Sequence, residues 1–298
     1  MKTILFGAAA AVAVMSAAGI ANAQEFTTGY VGGSYSTVNT GQAATTTTLA
    51  IDDATVLAAR AVGSFQLQKG VEVQLDGDIA SVDIGYPHSS SVTLWGGTAH
   101  VFVEGENGSK VGAILSYIDA DSRSVFTYGL EGRFAATDNI SFGFGAIWGS
   151  VNLPSASAFN EEVRSYDGEA SFFINDNFRL DAGINSFRVS NSTTGTVVSK
   201  NSVLSYRAGG EIQLENMPVA FTFGYARAQA SGNNDYDSFS LGVRRLFGGT
   251  LKDRDRSSSP FHGGMELLGG AFGAVGLAND VECDDSSNED ACDISTVI

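Results

Sequence analysis

Ile140, Phe142, Phe144, Ala146 and Trp148 alternate with Ser141, Gly143, Gly145, Ile147 and Gly149. Every second residue is apolar, and most of those between are small. This is the two-residue period of a β-strand. The pattern returns at Phe178-Leu180-Ala182-Ile184, at Val219-Phe221-Phe223-Tyr225 and at Phe239-Leu241-Val243. Strands of this kind have one greasy face and one small or polar face. The greasy face needs an apolar medium, which is a second sheet in a soluble sandwich and lipid in a transmembrane barrel. All four prolines (Pro87, Pro154, Pro218, Pro260) fall between alternating segments and none inside one, because a proline cannot donate to a strand ladder.

The first 23 residues set the compartment. Lys2 supplies a positive charge, Ile4 to Ile20 is almost unbroken apolar sequence, and Ala21-Asn22-Ala23 fits a cleavage site before Gln24. Residues 1–23 therefore read as a signal peptide. No later apolar run is long enough to span a bilayer as a helix, so any membrane passage must use strands. The net charge of −16 argues against nucleic acid as a partner.

Twelve alternating segments can be marked, at 26–37, 54–68, 71–84, 92–104, 109–118, 124–134, 140–151, 165–174, 178–189, 203–214, 219–229 and 236–247. Most run longer than the soluble strand of about 5–6 residues and suit a tilted membrane strand of about 9–11 residues with overhang. Their connections alternate. Lys69-Gly70, Gly105 to Gly108, Ala135 to Asn139, Asn175 to Asn177 and Glu215 to Pro218 are short turns. Val38 to Asp53, Gly85 to Ser91, Asn152 to Arg164, Ser190 to Ser202 and Ala230 to Asp235 are mostly longer, with Asp119 to Arg123 a short exception. Short turns at one end and longer loops at the other are expected of a single closed antiparallel up-and-down barrel in an outer membrane. The even strand number then puts both chain ends on the short-turn side, which is the periplasmic side. Phe26, Phe65, Phe134, Phe142, Phe178, Phe221 and Phe247 lie near the short-turn ends. Tyr117, Tyr128, Trp148, Tyr166, Tyr206 and Tyr225 lie nearer the other ends. Two aromatic belts, one per interface, fit the same reading.

With these features residues 24–247 resemble Gram-negative outer-membrane β-barrel proteins, the porin-like group in particular. Ser240-x-Gly242-x-x-Arg245-Leu246-Phe247 is similar to the insertion signal of a last strand in that group, departing from it at Arg245 and in not ending the chain. The resemblance implies a barrel at residues 24–248, inserted from the periplasm by the barrel-insertion machinery. Its other expected partners are outer-membrane lipid, lipopolysaccharide and small solutes. The implied activity is passive diffusion of small polar or cationic solutes.

If the apolar set faces lipid, the opposite set lines the interior. It contains Arg60, Glu72, Gln74, Asp76, Asp78, His100, Glu104, Glu131, Arg133, Asp167, Glu169, Arg179, Asp181, Arg207, Glu211 and Arg244, with nine carboxylates, five arginines and no lysine. A charge on the lipid face costs about 2–4 kcal/mol at the midplane, so collection of the charges on one face supports the assigned phase. Arg227 and Arg245 fall on the outer face near strand ends, where they can snorkel. Two readings of the inner set stay open. One is a net acidic lining around a water path that favours cations. The other is a salt-bridged filling that closes the lumen. Gly143, Gly145 and Gly149 mark strand seven as a thinly lined patch of inner wall where a lumen has room for solute.

No enzyme, cofactor or metal is expected. His88-Ser89-Ser90 has the H-x-S spacing of outer-membrane phospholipases and lipid A deacylases. The Asn-Gly that follows in the phospholipase motif is replaced by Ser91-Val92, and no orienting acid can be named. His100 reads as a lumen residue bonded to a carboxylate such as Glu104. The three N-x-S/T sequons at Asn107, Asn139 and Asn191 are chance in a bacterial outer membrane.

Residues 249–298 do not read as strands and are expected to form a periplasmic acidic tail. Lys252 to Arg256 is a charged run, Met265 to Ala278 is apolar and glycine-rich, and the last 20 residues carry seven acids and no base. Cys283 and Cys292 are the only cysteines; in an exported chain they are expected to form a local disulfide. A calcium loop between them would lack EF-hand spacing. Starting in the periplasm, the tail is placed to dock under the barrel mouth or to plug it. The rival to the porin-like reading is a closed structural or adhesive barrel that acts through its Thr-, Ser- and Asn-rich outer loops. A third reading is a soluble secreted β-protein.

Overall fold

The computed structural model describes residues 25–40, 53–84, 90–105, 108–120, 123–152, 159–193, 196–230 and 234–257. The expected signal peptide, His88 and Ser89, and the Cys283–Cys292 pair lie outside these residues. The strands are β1 (Glu25–Thr40), β2 (Asp53–Gln68), β3 (Val71–Ile84), β4 (Ser90–Glu104), β5 (Lys110–Ala120) and β6 (Arg123–Ala135). They continue with β7 (Ile140–Asn152), β8 (Phe159–Asn175), β9 (Phe178–Thr193), β10 (Thr196–Gln213), β11 (Val219–Ala230) and β12 (Asn234–Phe247), before one short helix, α1 (Leu251–Ser257). Each strand pairs antiparallel with its sequence neighbours, and β1 pairs with β12, so the sheet closes into a barrel. Closure removes both free edges, the condition for a sheet in lipid.

The twelve expected segments are the twelve strands. Pairing runs further than the hydrophobic period at one place. β8 begins at Phe159, and β9 and β10 extend to Thr193 and back from Thr196. Most of the loop expected at Ser190 to Ser202, and the end of that expected at Asn152 to Arg164, are therefore strand. Ser190 to Ser202 is rich in Thr, Ser and Val, Phe159 to Arg164 is half charged, and both lack apolar alternation. Main-chain pairing alone sustains a ladder once it leaves the apolar slab, where no face has to be greasy.

At the end that carries the first and last strand termini, the turns are tight. Gly70 (φ 78°), Gly108 (φ 71°) and Asn216 (φ 60°) take left-handed conformations there. Side-chain exposure fixes the phase. Leu115, Leu130, Phe144, Phe223 and Leu241 are exposed on the outer wall. Trp95 stacks near Tyr117 (5.8 Å between ring centroids), and Trp148 lies between Tyr128 (6.5 Å) and Tyr166 (6.3 Å). These rings form an outer belt across β4 to β8 toward the loop end. Phe26 and Phe65 meet edge to face at 5.6 Å near the other end.

Gly129 and Gly149 show why small residues punctuate β6 and β7. A Cβ on Gly129 would fall 2.1 Å from the Ala146 carbonyl oxygen, and one on Gly149 2.1 Å from that of Phe126. The wall is tightly curved there and has no room for a side chain between adjacent backbones. Gly129→Val is expected to cost about 3 kcal/mol or more, read as loss of the heat-modifiable folded band on cold gel electrophoresis.

Candidate functional site: the lumen and its helical stopper

The inner wall has three layers. The layer nearest the chain ends is an apolar collar of Tyr30, Val62, Phe173, Ala220 and Leu246, closed over by Leu251 of α1. The middle layer is charged. The layer nearest the long loops is apolar again and draws on every strand, through Val38, Val56, Ala80, Leu94, Ile118, Val125, Ile147, Val163, Phe187, Val203, Ala228 and Tyr236. The sequence reading expected a polar interior throughout, so this second belt is a correction. Its residues lie on the inward parity but come singly near strand ends, where an isolated Val or Ile carries no periodic signal.

The charged layer falls into two networks. In the first, Lys110 Nζ donates to Glu72 Oε2 at 2.7 Å and lies 4.5 Å from the Phe102 ring centre. Ser64 donates to Gln74 (3.2 Å), whose amide donates to Asp76 (2.8 Å). His100 is fully buried between two carboxylates, with Nδ1 2.9 Å from Glu131 Oε1 and Nε2 3.4 Å from Asp76 Oδ2. The expected partner Glu104 is instead exposed at the rim. Arg60 pairs with Asp78.

Lys110 also corrects the statement that no lysine lies inside. Its position at the first residue of β5 hid its parity. Lys110→Met is expected to destabilise the barrel by about 3–5 kcal/mol, because it strands a buried Glu72 carboxylate. The Lys110→Met/Glu72→Gln double variant should recover most of that loss. Urea unfolding in detergent micelles measures both.

The second network joins the wall to α1. Arg207 grips Asp167 with both terminal nitrogens (2.7 and 3.0 Å) and reaches Glu169 at 2.8 Å. Glu211 receives Arg244 (3.0 Å), Arg179 (3.5 Å) and Arg254 of α1 (3.4 Å). Arg179 also pairs with Asp181 at 3.0 Å. Asp255 of α1 is held by Arg133, by Ser141 (3.0 Å) and by Arg179 (3.5 Å). Gly143 and Gly145, expected to border open space, are buried. Arg133, the cross-strand partner of Gly143, and Ser141 meet Asp255 over that part of the wall.

The helix is placed by its own sequence. Gly248 (φ 81°) and Gly249 (φ 63°) reverse the chain after β12, in a conformation glycine adopts without steric cost. Thr250 then caps the helix. Its N–H and hydroxyl donate to Asp253 Oδ2 (2.9 and 2.8 Å), and the Asp253 N–H returns to the Thr250 hydroxyl (3.2 Å). These bonds hold the Asp253 carboxyl below the usual carboxylate range. Burial pushes the Arg254 guanidinium down, and Glu211 opposes the shift. On the outer side Lys252 reaches Asn139 (3.2 Å) and Asp176 (3.4 Å), and Arg256 donates to the Asp138 carbonyl (3.0 Å). The helix therefore crosses the mouth from β12 to the β6–β7 and β8–β9 turns. Arg254 and Asp255 were absent from the expected lining. The signal that points to them is Gly-Gly followed by Thr-x-x-Asp, a turn and a cap at residues 248–253.

A gap beside α1, bordered by Thr28, Ser64, Arg179 and Arg244, measures about 20 Å³, room for roughly one water. Among the described residues no group of His, Cys, Asp and Glu is arranged to hold a metal ion.

A closed twelve-stranded antiparallel wall with aromatic belts and a charged interior is the fold of outer-membrane β-barrel proteins. Comparison with solved structures agrees at the level of fold. The COG4313 outer membrane channel from Pseudomonas putida F1 superposes with a TM-score of 0.56 at 11% identity, covering 74% of this chain and 96% of that one. The translocator domain of the autotransporter NalP from Neisseria meningitidis gives a TM-score of 0.52 at 12% identity, covering 80% of this chain and 97% of that one. No family model matches the sequence. No curated protein matches it either.

Proposed function

We propose that the protein is a porin-like channel of the Gram-negative outer membrane, with both chain ends periplasmic, and that the structure is its closed state. Passage is for small polar or cationic solutes. The observation that carries this is the contrast between layers of one wall. A buried ion-pair network is usually less stabilising than a well-packed apolar filling of the same volume. The loop-side belt shows that this barrel can fill itself with apolar residues. A charged middle layer is the lining a water path needs when α1 leaves and the belt wets. The wall charges alone are net acidic, which favours cations; Arg254 and Asp255 add one charge of each sign.

The second reading is a permanently closed barrel that acts through its loops. It is favoured by burial of much of the charged middle layer, including Glu72, His100, Glu131, Arg133 and Glu211, and by the belt drawn from twelve strands. Planar-bilayer recording of the full-length protein separates the two. Discrete openings with cation preference support the channel, whereas silence at high protein loading would leave the closed barrel. Lipid-hydrolysis assays on the same material should show no turnover; activity abolished by Ser90→Ala would reverse that expectation.

A further inference from the structure

Arg164 and Arg188 face each other directly across the β8–β9 ladder, and both are exposed on the outer wall. Side chains so placed have Cβ atoms about 4.5–5.5 Å apart, and like charges there repel. Arg164 has one carboxylate near it, Glu162 at 3.3 Å, itself more than half exposed. Arg188 makes no ion pair among the described residues. Arg227, another outward arginine of the loop end, is neutralised by Asp235 at 2.6 Å. With one carboxylate for two guanidinium groups, the Arg164–Arg188 pair keeps one net positive charge facing the surroundings.

Its neighbours define its depth. Trp148 is the cross-strand partner of Arg164 on β7, and Tyr166 lies two residues along β8 on the same face. Both belong to the loop-side aromatic belt, which in a membrane barrel lies at the headgroup boundary. The two arginines sit one side-chain repeat beyond Tyr166 toward the loops, at the level of lipid headgroups. Paired guanidinium forks match phosphate oxygens in charge and geometry.

We propose that Arg164 and Arg188 form a binding site for a phosphorylated lipid headgroup of the surrounding leaflet, with Trp148 and Tyr166 packed against the sugar or glycerol portion. Given the orientation in the proposed function, that leaflet is the outer one, and the ligand chemistry is the phosphomonoester of a lipid A disaccharide. The proposal rests on the membrane placement of the barrel but not on conduction, so silent bilayers leave it standing.

Trp148 provides a reporter, because the chain has two tryptophans and Trp95→Phe isolates it. Full-length Trp95→Phe protein in detergent is titrated with bis-phosphorylated lipid A, with the dephosphorylated lipid and with inorganic phosphate. A saturating change in Trp148 emission is expected with the first alone. Arg188→Gln should weaken binding about tenfold, the loss of one charge-assisted contact, and Arg164→Gln/Arg188→Gln further still. Heat-modifiable migration verifies that the variants remain folded. Equal affinity for the dephosphorylated lipid, or unchanged affinity in the double variant, would overturn the proposal. Saturation by inorganic phosphate at similar concentrations would overturn it too, by showing a free-anion site.

Discussion

Truncation after Gly248 is expected to raise the open probability of single channels on the order of 10²-fold over the full-length protein. The helix it removes is held in the mouth by Arg133–Asp255, Arg179–Asp255 and Arg254–Glu211 and by burial of Leu251 in the collar. At about 1 kcal/mol net for each of the three ion pairs, the pairs alone give a closed-state preference of roughly 3 kcal/mol, which corresponds to a shift of that order. Cation preference should increase slightly, because Glu211 loses Arg254 while Arg133 and Arg179 still have Glu169 and Asp181 nearby. High salt alone should open the channel little, since these pairs are buried and screening acts mainly on exposed charges. A truncated protein as quiet as the full-length one would move the closure from α1 to the apolar belt.

Glu211→Ala is expected to be among the most destabilising single changes in the wall, at about 3–5 kcal/mol. Glu211 is 2% exposed and shared by Arg179, Arg244 and Arg254. Removing it leaves three guanidinium groups converging on an empty position. Arg179 retains Asp181 and Asp255, and Arg244 retains its stacking over Tyr30 at 4.5 Å, so the penalty falls mainly on Arg254 and on α1. Glu104→Gln, at the exposed rim, should stay within about 0.5 kcal/mol of the parent. Urea titration of the two variants side by side measures the difference. Loosened α1 also predicts that Glu211→Ala opens more often in bilayers, in the same direction as the truncation.

Much of the wall was legible from residue order. The period of two, the turn residues and the confinement of Pro87, Pro154 and Pro218 to connections define the strands, because in lipid each strand must show an apolar face. Parity then assigned Asp167, Glu169, Arg207 and Glu211 to the inner side, where the structure places them. The partnerships were not legible. His100 meets Glu131 and Asp76, two and one strands away, and not Glu104 on its own strand. Which charges meet depends on register and stagger between strands, and side-chain period says nothing about either. The loop-side belt escaped for a related reason: Ile118, Val163 and Phe187 are ordinary strand residues until closure brings twelve such positions to one level.

The sequence by itself pointed to a closed sheet with a lipid-facing side, because its strands are long, its connections alternate in length and its charges collect on the face opposite the apolar one. It also held the turn and cap at Gly248 to Asp253, which are local features with local causes. The tertiary structure decided whether the interior is open. The inner face carries charges of both signs, and only their placement in three dimensions commits the arginines to carboxylates and to Asp255 of the helix. Ion pairing is a matter of distance and burial, and neither exists until the barrel closes.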